Sequence, residues 1–198
     1  NIDWTGAHIK HQEWRAQLNR FFQLTALCVC YRETDEEKYA RAARAFMEDW
    51  IRQHPPIGPD EPAYVGDSSL NMTIRLGALR GGAGWLRTLG CLYGAPGFDD
   101  DFVDRVLESV DWQLAWLKNN LAGRSNWRIA GLCGLVEAAL LIPSRYGYYM
   151  DFAAREVKNE FYTQILPDGA HEERSAGYHN WMARTFLLLD ALGKRADV

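Results

Sequence analysis

The sequence lacks the features that mark several common classes of protein. No apolar stretch is long enough to cross a membrane. There is no run of Lys and Arg, and 26 acidic residues outnumber 22 basic ones, which argues against a nucleic-acid partner. No segment alternates apolar and polar residues with the period of a β-strand. What remains is a helical globular protein, consistent with 47% hydrophobic and 24% charged residues.

Cysteine is also scarce, and its spacing fits no zinc or redox motif. We interpret the four cysteines as free thiols within apolar helical stretches, which mildly favours a reducing compartment without excluding a secreted protein. They are Cys28, Cys30, Cys91 and Cys133.

The chain begins at Asn1, without Met and without a signal peptide, and it stops just after an apolar stretch. We therefore expect residues 1–198 to be a single domain that is truncated at both ends.

Apolar residues recur with helical periodicity along seven stretches. We predict helices at Lys10–Tyr31, from Thr34 or Asp35 to His54, and at Ser69–Tyr93, Asp100–Leu121, Asn126–Ile142, Arg145–Leu166 and from Ser175 onward. Gly81, Gly82 and Gly84 weaken the third helix or allow another backbone to approach it. The short loops predict antiparallel hairpins, arranged either as an irregular bundle or as a toroid of stacked helix pairs.

Aromatic residues are abundant, with eight Trp and nine Tyr. We assign most of them to the core. Some are candidates for the stacking walls of a carbohydrate cleft.

The segment "GRSNWRIAGLCGL" opens the fifth helix with polar residues. Ser125 or Asn126 is a good N-cap, which explains a polar residue there. Asn126 also lies between Arg124 and Arg128, and an amide beside guanidinium groups suits an acidic sugar. Both interpretations remain open from this segment alone.

The segment "PDGAHEERSAGYHN" is unusually polar. Asp168-Gly169 predicts a turn, a Glu suits a helix start, and Ser175 is a credible N-cap. These roles do not explain Tyr178. It is either a half-buried structural residue or a group that acts as acid or base, and the second role requires nearby cations or hydrogen-bond donors that lower its pKa. The local candidates for that effect are His171, Arg174 and His179, the last of which is otherwise a surface residue.

Two further arginines are candidates for a site. Arg20 ends the polar run of the first helix, and Arg75 follows Asn71 by one turn in "NMTIRLGALR". A cation among apolar residues requires a partner or a ligand, so Arg75 is either a buried ion pair or a substrate-binding residue.

Five segments in this order resemble the helical domain of the heparinase II/III-like polysaccharide lyases and their alginate-lyase relatives. They are "KHQEWRAQLNRFFQLTAL", "TDEEKYARAARAFMEDWIRQHPP", "NMTIRLGAL", "SNWRIAGLCGLVEAALLIP" and "QILPDGAHEERSAGYHNWMARTFLLL". The most specific part is the pattern D-G-x-x-x-E-x-S-x-x-Y-H, from Asp168 to His179.

The resemblance implies an all-α, incomplete (α/α) toroid of antiparallel helix hairpins, followed in the full-length protein by a β-sandwich domain. It implies β-elimination on a uronic-acid polysaccharide, with Asn126 neutralising the uronate carboxylate and Tyr178 as acid and, in some members, also as base. It implies no metal and no cofactor, and a periplasmic or secreted location. Residues that we expect to bind substrate or support the site are Arg20, Arg75, Trp127, Arg128, His171, Glu173 and His179.

The sequence departs from the family pattern at three points. Trp127 stands where many relatives have His, and Ala176 where they often have Pro. The family's β-sandwich supplies another catalytic His, so these 198 residues are expected to hold only part of an active site and to be inactive alone.

Two other functions remain possible from the sequence. An (α/α)-toroid glycoside hydrolase would need two carboxylates across a cleft, for which the candidates are Asp67, Asp99, Asp168 and Glu173. A non-catalytic helical module would bind a glycan or a protein without reacting groups that converge.

Overall fold

The computed structural model describes residues 1–77 and 84–196, and this part of the chain is all-α. It contains no strand, and the β-type pairing within it is an isolated bridge between Ile165 and His171. The helices are α1 (Gln12–Asn19), α2 (Gln23–Thr34), α3 (Glu37–Gln53), α4 (Ser69–Leu76), α5 (Gly84–Leu92), α6 (Asp100–Asn119), α7 (Asn126–Leu141), α8 (Pro143–Tyr146), a 3₁₀ turn (Gly147–Tyr149), α9 (Met150–Gln164) and α10 (Ala176–Ala196).

The first predicted helix, Lys10–Tyr31, was wrong as a single element, since the chain breaks between α1 and α2. Phe21 adopts a left-handed backbone with φ of 59°. Its buried ring stacks on Trp4 and meets Trp50 and Trp85 edge-on. The burial of this ring in an aromatic core outweighs the cost of interrupting the helix.

Other boundaries also differ from the predictions. The second helix was predicted to start at Thr34 or Asp35. In the structure, Thr34 is the last residue of α2, Asp35 is its C-cap with a left-handed backbone, and Glu36 is the N-cap of α3. The predicted third helix corresponds to α4 and α5, and Gly81 and Gly82 lie outside the described residues. The sixth is divided into α8, the 3₁₀ turn and α9.

Three helices, α4, α7 and α10, run parallel to one another. Thr73 lies against Gly134, and Gly77, at the end of α4, lies against Glu137, further along α7. The same order holds between α7 and the last part of the chain, where Asn126 meets Glu173 and Trp181 packs near Ala130. The amino-terminal ends of these helices therefore lie at one end of the molecule.

The four cysteines are free in the structure, as predicted, although Cys30 and Cys91 are only partly buried. Within the described ranges, we find no helix with both the length and the apolar character needed to cross a membrane.

Candidate functional site

The first residue of α7, Asn126, is bound to a carboxylate from the polar turn before α10. The amide nitrogen of Asn126 lies 2.7 Å from Oε1 and 3.0 Å from Oε2 of Glu173. The backbone N–H of Asn126 also donates to Glu173 Oε1, at 3.0 Å. Ser125 is the N-cap of α7, and its hydroxyl accepts from the backbone of Trp127. The capping role predicted for this segment therefore belongs to Ser125, which leaves the Asn126 side chain to Glu173.

A chain of buried hydrogen bonds holds the backbone of Glu173 in place. The backbone N–H of Glu173 donates to Nδ1 of His171, and His171 Nε2 lies 2.9 Å from Oε1 of Gln164. Because Nδ1 accepts, the neutral His171 ring carries its proton on Nε2 and donates it to Gln164. Gln164 in turn donates to the backbone oxygen of Ser125 and to Glu160. His171 is fully buried, so its position makes it a support for the turn and not a group that meets a ligand.

Tyr178 lies in the first turn of α10, and 45% of its surface is exposed. Trp181, one turn further along, packs against a small apolar cluster of α4 and α7 that includes Ala130. Residues three apart share a helix face, so Tyr178 lies on the face that α10 turns toward α7. Asn126 precedes Ala130 by one turn on the parallel helix α7. We infer that Asn126 and Tyr178 lie at the same end of one interface.

His179 faces a different direction from Tyr178, although the two are adjacent in sequence. Successive helical residues are rotated by about 100°. His179 lines the groove between α9 and α10 together with Ala183 and Phe186, which recur at helical spacing. Nδ1 of His179 accepts from the backbone N–H of His171 at 3.2 Å, so the neutral ring presents an Nε2–H donor.

Trp127 is 45% exposed at the amino-terminal end of α7. It is one of the few half-exposed Trp side chains, since Trp4, Trp50, Trp85, Trp112 and Trp116 are buried in the core. A role of this exposed indole in stacking on a sugar ring stays a prediction.

Arg124 and Arg128 are both paired with carboxylates of the protein. Arg128 Nη2 donates to Glu156 at 2.7 Å, and its Nε lies 2.7 Å from a Glu160 oxygen, so it ties α7 to α9. Arg124 forms an ion pair with Glu172. The positive potential that we expected from these two residues is therefore largely offset within the protein.

Arg75 is fully buried and has the ion pair that was one of its two predicted roles. It donates to Asp67 at 2.6 Å, to Gln113 and to the backbone oxygen of Asn19, and it stacks over Trp50 at 4.2 Å. A side chain without exposed surface does not contact a polysaccharide, so this position does not fit direct substrate binding.

Arg20 is mostly buried and joins α1 to the first turn of α4. Its Nε donates to Asn71 Oδ1 at 2.8 Å, and Nη1 pairs with Glu13 at 2.8 Å. The amide of Asn71 donates to the backbone oxygen of Gly66. A supporting role in the site stays a prediction for Arg20.

The carboxylates considered for a hydrolase have other partners. Asp67 is buried against Arg75. Asp99 is the N-cap of α6 and pairs with Arg44. Asp168 accepts from a backbone N–H in its own turn, and Glu173 binds Asn126.

Sequence reasoning missed Gln164 and Trp181. Both lie in helices. A polar residue such as Gln164 is commonly explained there by a solvent-exposed face, and an aromatic residue such as Trp181 by the core. Only the folded chain places Gln164 beside Ser125, and these two residues are 39 positions apart in sequence.

The fold defines the class of protein, an all-α domain in which α4, α7 and α10 run parallel. The chain belongs to the family described as Heparinase II/III N-terminus, whose model matches residues 1–198.

Two curated proteins, both called heparin-sulfate lyase, are similar to the chain. The protein from Pedobacter heparinus is 25% identical over 201 aligned residues, which cover 100% of this chain and 29% of that protein. The protein from Bacteroides stercoris is 35% identical over 72 residues, which cover 35% of this chain and 11% of that protein.

The fold is also similar to the crystal structure of the heparan sulfate lyase HepC from Pedobacter heparinus. The TM-score is 0.79 at 24% identity, and the match covers 99% of this chain and 30% of HepC. A crystal structure of a HepC mutant gives the same TM-score. This likeness confirms the all-α fold, an incomplete (α/α) toroid. The chain spans about 30% of the length of the relatives that it matches.

Proposed function

We propose that this chain supplies part of the active site of a polysaccharide lyase that cleaves a uronic-acid-containing polysaccharide by β-elimination. The observation that carries the proposal is the contact of Asn126 with Glu173, just before α10, together with the packing of Trp181 of α10 beside Ala130 of α7. These contacts support a placement of Tyr178 at the same end of the α7–α10 interface as Asn126. The names of the curated relatives, both heparin-sulfate lyases, support an acidic polysaccharide as the substrate.

The residue types suit the reaction. The proton at C5 of a uronate is too weakly acidic for removal until the negative charge of the neighbouring carboxylate is offset. A preorganised amide donor such as Asn126 stabilises the charge that develops on that carboxylate in the enolate-like transition state.

Proton transfer is the task we assign to Tyr178. In its deprotonated form, tyrosinate, this half-exposed side chain can take the C5 proton. In its protonated form, the phenol can donate a proton to the departing O4. The amino-terminal ends of α4, α7 and α10 add a positive potential at the same end of the molecule, which favours an anionic ligand.

The site needs groups from outside this chain. We propose that a β-sandwich domain in the full-length protein supplies a further catalytic His, and that Trp127 provides a stacking surface where relatives often have His.

The experiment is an assay of the full-length protein against heparan sulfate, alginate and other uronans. The expected result is an increase in ultraviolet absorbance from unsaturated uronate on at least one of them. Cleavage without ultraviolet absorbance would instead indicate a hydrolase, and a folded protein that cleaves no uronan would contradict the proposal.

A further inference from the structure

We propose that Glu173 is the positioning residue of this site, and that it acts by holding the side-chain amide of Asn126 in one orientation. The inference rests on the proposed function, because it concerns how Asn126 meets a substrate. It goes beyond that function in naming the residue on which the Asn126 geometry depends.

The hydrogen bonds determine the orientation of the Asn126 side-chain amide. A carboxylate only accepts hydrogen bonds, so Glu173 selects Nδ2 of Asn126 and rejects Oδ1. Both Glu173 oxygens lie on one side of Nδ2, at 2.7 and 3.0 Å, and together they occupy one of its two hydrogens. No other described residue accepts from the amide nitrogen, and 6% of the surface of Asn126 is exposed, so a ligand would reach the second N–H through this small opening.

The backbone segments that carry Glu173 and Asn126 are also held in place. The Glu173 backbone is fixed by the buried pair His171 and Gln164, which is also bonded to Ser125 directly before Asn126. The two residues that flank the contact, Ser125 and Arg174, have positive φ angles of 79° and 52°. Such backbone conformations are costly for non-glycine residues and persist where the surrounding structure enforces them.

The position of Glu173 also limits the electrostatic penalty of a carboxylate close to an anionic substrate. Its Oε1 accepts the backbone N–H of Asn126, the first residue of α7. The positive end of the helix dipole therefore offsets part of the Glu173 charge.

The test is a double-mutant cycle in the full-length protein, with kcat and KM measured for the best uronan. Glu173→Ala is expected to lower kcat/KM by about a hundredfold, since a misplaced catalytic donor costs that much. Glu173→Gln keeps one acceptor oxygen and is expected to recover part of the loss. In an Asn126→Ala background, Glu173→Ala is expected to have no further effect.

The matched control is Glu172→Gln, which removes the neighbouring carboxylate that pairs with Arg124 and does not bond to Asn126. Its kcat/KM is expected to stay close to that of the parent protein, because Glu172 pairs with Arg124 and leaves the hydrogen bonds between Glu173 and Asn126 in place. If Glu173→Ala lowered activity by the same factor with and without Asn126, the inference would be overturned, because Glu173 would act independently of that amide.

A second measurement does not depend on activity. The backbone N–H of the first helical residue has no acceptor within its own helix, so protection of the Asn126 N–H from hydrogen exchange comes from Glu173. Faster exchange at Asn126 in Glu173→Ala, with the rest of α7 unchanged, supports the inference, and an unchanged rate in this variant contradicts it. Full activity of Asn126→Ala would contradict the proposed function and leave this exchange result standing.

Discussion

Tyr178 is 45% exposed, and its hydroxyl is bonded to no residue in the part of the chain that the structure describes. Its loss should therefore affect catalysis and not folding. We expect Tyr178→Phe to lower the lyase rate by about 10²- to 10⁴-fold, the usual contribution of a general acid or base. The free energy of unfolding should change by less than about 0.5 kcal/mol. Initial rates and thermal unfolding of the full-length protein check both expectations.

The control for this substitution is Tyr162→Phe, which removes the same hydroxyl from an exposed Tyr on α9. It should leave the rate unchanged. A Tyr178→Phe protein as active as the control would remove Tyr178 from the mechanism.

Arg75 is a residue whose contacts assign it to stability, so its substitution should change the free energy of unfolding. Arg75→Ala leaves Asp67 as a buried carboxylate without its cation, which costs about 3–5 kcal/mol. Chemical denaturation should record this loss. The control Arg41→Ala breaks an exposed ion pair with Glu37 and should cost less than about 1 kcal/mol. Normal stability together with weakened substrate binding in Arg75→Ala would restore its predicted role as a substrate-binding residue.

Sequence reasoning at the level of residues succeeded where the interaction is local. Ser125 was one of two candidate caps because capping depends on the next few residues. The partner of Asn126 was not predictable, since Glu173 lies 47 positions away and the contact exists only after α7 and α10 are brought together. The same reason explains why the two carboxylates that pair with Arg128 were missed.

Among the helices, α7 carries a buried acid whose ionisation should make stability depend on pH. Burial raises the pKa of Glu137 to about 7, although the guanidinium of Arg87 acts in the opposite direction. The unfolded chain releases this proton near its ordinary pKa of 4.5. The contribution of Glu137 to stability is therefore fully present below about pH 4.5 and is lost as pH rises to about 7, by on the order of 3 kcal/mol.

The measurement is the free energy of unfolding in denaturant at a series of pH values between 4 and 8. Glu137→Gln removes the titrating group, so its curve should be flatter than that of the parent protein across this range. Parallel curves for the two proteins would mean that the pKa of Glu137 is not raised in the folded state.

Helix periodicity predicted the helical elements well and their interruptions poorly. The breaks at Phe21 and at the 3₁₀ turn before α9 occur within stretches whose residues are compatible with a helix. At Phe21 the cause is the aromatic core formed with Trp4, Trp50 and Trp85, which are distant in sequence. Local propensity is a weak signal when tertiary packing opposes it.

At the scale of the whole molecule, short loops and amphipathic helices were sufficient to predict an all-α hairpin architecture. The parallel order of α4, α7 and α10 depends on contacts between distant segments, and this order gives the proposed site its shape. It brings Leu70, Ala130 and Trp181 together, each near the start of its helix. Because the chain spans about 30% of the length of its relatives, we expect a productive cleft to require further residues of the full-length protein.

The most direct test of the proposed site is a crystal structure of the full-length Tyr178→Phe protein with a bound uronate oligosaccharide. The proposal predicts that the carboxylate of one sugar accepts a hydrogen bond from the Asn126 amide, with a donor–acceptor distance of about 2.7–3.2 Å. The ring of residue 178 should lie beside C5 and O4 of the same sugar. An oligosaccharide that contacts neither residue, or that meets Asn126 and residue 178 through different sugars, would contradict it.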